Sequence, residues 1–181
     1  MKKYIRISSI AAVVAVAAAG LCFVTPAKAA KEKKMDSKME SKLSAADKKF
    51  LKKAYKGGME EVENAKMAKE KAKDDATKEV AERMITDHGK ANEKLLEIAK
   101  EENFDLSKVE AKPASMSGDN IDKDYLTMLK KDHEKDIAMF EKEAGDSGSK
   151  EDSDVKKFAK DTLPTLKEHL PMVEDALGKM K

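Results

Sequence analysis

Cysteine is all but missing from this chain. Its 181 residues hold one, Cys22, inside an N-terminal stretch that is expected to be removed. Without cysteine the remainder forms no disulfide in an oxidising compartment, and zinc–thiolate sites are excluded. Tryptophan is absent and aromatic residues make up 4% of the chain. With no basic block either, little is left for stacking on bases or tracking phosphates, so nucleic acid is not an expected partner. There is no Gly-x-Ser-x-Gly elbow, no glycine loop for phosphates and no His-Glu-x-x-His, which removes the common hydrolytic plans. No segment alternates apolar and polar residues for long enough to read as a strand.

What is present begins with a targeting pattern. "MKKYIR" is a basic head, Ile7 to Val24 is apolar and alanine-rich, and Ala27 and Ala29 in "AKA" suit a cleavage site. Residues 1–29 are therefore expected to be a signal peptide cut after Ala29. Export, with the periplasm as destination, follows. Leu21 before Cys22 argues against a lipid anchor there, and no stable membrane span is expected after cleavage. Removing Lys2, Lys3, Arg6 and Lys28 from 37 bases against 35 acids leaves a net charge near −2. Residues 30–43 are charged and read as a flexible tether. The many remaining charges are the solvated faces of helices.

Residues 44–178 carry helical periodicity except over Glu102–Gly118, with helices expected at about 44–73, 76–101, 121–144 and 153–177. "SAAD" at Ser44 offers an N-cap, Asp74 or Asp75 caps the second helix, and Gly178 ends the fourth. Pro164 and Pro171 should bend that last helix. The Gly57–Gly58 pair suits a close approach between helices. Four such helices make an all-α bundle. Two short turns give two antiparallel hairpins, and the long connection between them can run the length of a helix. That is the ferritin-like arrangement.

The inward line of each helix contains one residue foreign to a core. In the first it is Glu61, among Leu51, Ala54, Gly58, Ala65 and Ala68; in the others it is His88, His133 and His169. At about 1.5 Å per residue all four stand roughly 17 to 24 Å along their hairpins, so they should meet in one mid-bundle layer. These are the three histidines of the chain.

The blocks "FLKKAYKGGMEEVENAKMAKEKA", "VAERMITDHGKANEKLLEIA", "DKDYLTMLKKDHEKDIAMFEKEA" and "VKKFAKDTLPTLKEHLPMVEDAL" resemble the exported bacterial family known as domain of unknown function 4142. The "DH" pairs and the "LP…L..H" run are the most specific pieces. Gly89 stands where members more often have Ser or Thr. The resemblance implies a ferritin-like four-helix fold, export, and no established activity.

Two readings of the polar layer remain open. In the preferred one it is a buried hydrogen-bonded network that neutralises Glu61 and fixes helix register. In the alternative, Glu61, His88, His133 and His169 hold one divalent transition-metal ion, Zn, Fe, Mn or Cu. Asp136, one turn after His133, would then orient that imidazole or bind directly. Asp87 and Asp132 point about 100° away and are better placed behind the ligands or at the surface. A Cu(I) site using Met84 and Met172 is the weakest variant, since methionine at helical spacing usually fills core. The residues three before each histidine are Ile85, Lys130 and Leu166, so the paired Glu-x-x-His motifs of di-iron bundles are missing. A redox enzyme is accordingly disfavoured, and no enzymatic activity is expected. No feature specifies a protein partner or an oligomeric state.

Overall fold

Ser44 sets where order starts. Its hydroxyl accepts from the Asp47 amide at 3.0 Å while the Asp47 carboxylate accepts from the Ser44 amide at 2.9 Å. This reciprocal capping box satisfies two donors that the first helical turn would otherwise leave open. In the computed structural model, which describes residues 41–116, 120–145 and 153–180, helix α1 then spans Ala45–Lys71. It is followed by α2 at Asp75–Glu101, α3 at Ile121–Gly145 and α4 at Asp154–Lys179. Asp74 caps α2 through the Thr77 amide, and Ser153 caps α4 through that of Lys156. No strand occurs among the described residues. None of their helices is long and apolar enough to cross a membrane. The expected signal peptide with Cys22, the tether up to residue 40 and most of the turn after Gly145 lie outside the described residues.

The chain is an all-α four-helix bundle. α1 runs antiparallel to α3: Asn64 is level with Met128, whose sulfur its amide meets at 3.8 Å, and Gly57 is level with Asp136. α2 is likewise antiparallel to α4, with Asp87 beside His169 near mid-length. α2 and α3 therefore run parallel across the bundle, and the 102–120 connection has to travel its whole length. Phe104 packs at one end and Met116 is buried at the other. Between them the Lys112 amide donates to Glu60 at 2.9 Å and the Ala114 amide to Asn64 Oδ1 at 2.8 Å. A further tie comes from α3, where the Asp122 carboxylate accepts the Lys73 and Asp74 amides at 3.0 to 3.2 Å. It thereby satisfies the α1–α2 turn.

Two apolar clusters fill the interior. One contains Val80, Met84, Tyr125, Leu126, Leu129 and Val173; the other contains Phe50, Leu51, Leu95, Ile98, Phe140, Phe158 and Leu166. Each large side chain so buried contributes about 1.5–3 kcal/mol. Gly58 lets α1 close on α2, because a Cβ there would stand 2.3 Å from Asn92 Oδ1. One expectation is corrected. Gly178 does not end α4, which continues to Lys179 with Met180 as its cap. No left-handed conformation is needed at Gly178 and nothing crowds it. α4 also runs unbroken through Pro164 and Pro171. Both prolines lie on its exposed side, where water can serve the carbonyls they leave unpaired.

Candidate metal centre

Between the two apolar clusters lies a layer of four buried polar side chains, one from each helix: Glu61, His88, His133 and His169. Their ring centroids are 5.2 to 5.5 Å apart. One ring nitrogen from each imidazole lies within 4.8 Å of those of the other two. Glu61 is outside that group of three and sits against two of its members.

The surroundings assign a role to every ring nitrogen. His88 Nδ1 is 2.8 Å from Glu61 Oε2. His133 Nδ1 lies 3.2 Å from the Leu129 carbonyl oxygen and 3.3 Å from Glu61 Oε1. His169 Nε2 lies 3.0 Å from Asp87 Oδ2. A nitrogen beside a carboxylate or a carbonyl oxygen has to carry the proton, since two lone pairs repel. Three N–H groups therefore point outward at oxygen. Neutral rings are then left with three lone pairs, on His88 Nε2, His133 Nε2 and His169 Nδ1. Two of these, on His133 and His169, face each other at 3.1 Å. The third, on His88, is buried with no partner.

The two carboxylates behind the rings are held differently. Asp87 is also paired with Arg83, four residues earlier on α2. Burial would push its carboxyl up, but the guanidinium and His169 hold it below the ordinary carboxylate range. Glu61 has no cationic side chain besides the imidazoles. Burial pushes it upward too, yet His88 and His133 more than offset that and keep it ionised. Its two oxygens stand 2.8 Å from His88 Nδ1 and 3.3 Å from His133 Nδ1. Burial lowers the affinity of His88 for a proton, an effect outweighed by Glu61, so its pKa is raised. His169 is drawn down to about 4, chiefly by burial.

His133 Nδ1 faces the Leu129 carbonyl, and among the described residues no hydrogen bond joins that ring to Asp136. Asp136 lines a cavity of about 260 Å³ together with Gly57, Glu61, Asn64 and Met128. Burial, reinforced by the Glu61 charge, pushes its carboxyl up to about 7. Asp132 is at the surface with Lys135. Met84 and Met172 pack with the apolar cluster that contains Val80 and Val173.

Sequence reasoning missed Arg83, whose spacing to Asp87 was a readable signal for an i,i+4 pair. It also missed Tyr125, which is buried with its hydroxyl unpartnered, and Asn64, which fastens the crossover.

A family model described as "Domain of unknown function (DUF4142)" matches residues 32–176. No curated protein and no solved structure matches the chain.

Proposed function

The chain belongs to the DUF4142 family, whose description assigns no activity, so from the chemistry of the site itself we propose that it is a metal-binding protein. The ligands are His88 Nε2, His133 Nε2 and His169 Nδ1, and they take one divalent ion of borderline softness, Zn²⁺ or Cu²⁺. Glu61, Asp87 and the Leu129 carbonyl hold the opposite ring nitrogens. This is how ligating imidazoles are usually fixed in tautomer and orientation. Glu61 is thus an orienting group rather than a ligand, and the three imidazoles leave a fourth position for water or another small ligand.

One observation carries the reading: His133 Nε2 and His169 Nδ1 stand 3.1 Å apart in the buried layer, and with their protons turned to Leu129 and Asp87 both present lone pairs to each other. Something positive belongs between them. For metal–nitrogen bonds of about 2.0–2.1 Å, tetrahedral ligands would be separated by roughly 3.3 Å, close to that spacing. The rival network reading supplies a proton instead, by making one ring an imidazolium. It still leaves His88 Nε2 buried without a partner, at a cost of about 1–3 kcal/mol.

Elemental analysis of protein purified without an affinity tag tests the proposal. About one equivalent of metal, lost in His133→Ala, is the expected result, with a melting temperature that rises on adding Zn²⁺. Metal-free protein whose melting is indifferent to Zn²⁺ and Cu²⁺ would leave the network as the surviving account. Export is part of the same proposal and is supported by the basic head, apolar run and "AKA" of residues 1–29. A secreted chain beginning at Ala30, read by mass spectrometry, is the expected outcome there.

A further inference from the structure

The three imidazoles are sealed. His88 is 7% exposed, His133 0% and His169 1%, so no ion can reach their free nitrogens directly from water. A cavity leads to a group that touches two of the rings. It measures about 260 Å³ and lies between α1, α3 and the crossover, lined by Gly57, Glu61, Asn64, Ala114, Met128 and Asp136, with exposed Lys112 and Lys135 near its rim. Glu61 forms its inner wall and at the same time meets His88 and His133 through its two oxygens. The crossover closes the cavity through the hydrogen bond from the Ala114 amide to Asn64.

Resting on the metal-binding reading above, we infer that this cavity is the entry port of the ion, and that Glu61 is the group that passes a divalent cation from Asp136 to the imidazoles. A cation entering a dry core must shed its water, and that loss is unfavourable unless anionic oxygens replace it in steps. Asp136 and Glu61 supply those oxygens in succession. Glu61 is the more mobile of the two orienting carboxylates, because among the described residues only imidazoles pair with it, whereas Asp87, on the far side of the layer, is fastened by Arg83. The 450 Å³ groove between α2 and α4 has Asp87 in its lining, and that carboxylate is the fastened one.

Gly57 permits a clean test. A Cβ added there meets nothing nearer than Asp136 Oδ2 at 3.9 Å, and a side chain replacing glycine favours a helix. Gly57→Leu would therefore fill the port without touching a ligand. The rate of Zn²⁺ uptake by metal-stripped full chain, and of Zn²⁺ loss to excess chelator, should fall at least tenfold in this variant, with final stoichiometry unchanged. Asn64→Ala, which unfastens the crossover, should speed both several-fold. Gly89→Leu, on α2 with nothing within 4 Å, should match wild type. Uptake by Gly57→Leu at the wild-type rate overturns the inference while leaving the metal site standing. So does slowing confined to Thr165→Phe, which plugs the α2–α4 groove. A wild-type protein that takes up no Zn²⁺ at equilibrium removes the site itself, and the port with it.

Discussion

The two faces of the polar layer solve one problem in different ways. On the α2–α4 face, Asp87 holds His169 and is itself held by Arg83, with its side chain 18% exposed. On the α1 face, Glu61 holds two rings, is 6% exposed and has no other cationic side chain. A partly wet carboxylate with a guanidinium behind it stays in place at little cost. A buried one that depends on two imidazoles gives up solvation and is compensated only by their N–H groups. The first face is a brace. The second is a buried ion contact without a second anchor.

The largest effect should come from breaking the buried face. Glu61→Ala removes the carboxylate against His88 and His133 from a buried layer and is expected to destabilise the bundle by about 3–5 kcal/mol, measured by urea unfolding. Asp87→Ala should cost less stability but weaken Zn²⁺ binding about 10- to 100-fold, measured by chelator competition. Equal losses of stability in the two variants would abolish the contrast.

Acidity sharpens it further, in metal-stripped protein. Asp136 has its carboxyl raised from 3.8 to about 7, so the folded state binds the extra proton between those values. Its ionisation therefore penalises the fold fully above pH 7 and not at all below pH 3.8. Asp136→Asn should raise the melting temperature at pH 8 and have almost no such effect near pH 4. For His169, lowered from 6.5 to about 4, the unfolded chain holds the extra proton, and stability is lost as pH falls from 6.5 towards 4. In an Asp136→Asn background, thermal melts across that interval should expose this slope, which His169→Gln removes. The smallest change belongs to Arg83→Ala. Its pair with Asp87 is largely at the surface, and a loss within about 1 kcal/mol is expected.

The bundle was legible because apolar spacing is a one-dimensional signal. Leu51, Ala54, Gly58, Glu61, Ala65 and Ala68 recur at three and four residues, and all are buried. The level of Glu61 against His88 followed from counting residues to a shared turn. Which side of the layer each helix flank would meet was not legible. Asp87 was read as standing behind the ligands or at the surface, yet its reaching His169 depends on α4 being the neighbour of α2, which periodicity within one helix does not specify. The direction of each imidazole was hidden for a related reason. Leu129 offers His133 a backbone carbonyl, and no residue letter marks it. Asp136 was placed one turn from His133 correctly in sequence, but a one-turn neighbour still has a choice of partners, and it faces the Glu61 cavity.

The order of the four contributors along the chain has a consequence for assembly. Glu61 and His88 come from the first hairpin, and His133 and His169 from the second, so the first hairpin owns one proposed ligand with its orienting carboxylate and the second owns two. Cleaving the crossover should give two fragments that capture Zn²⁺ only together. An ion held between them would act as a clasp, strengthening their union with the logarithm of its free concentration.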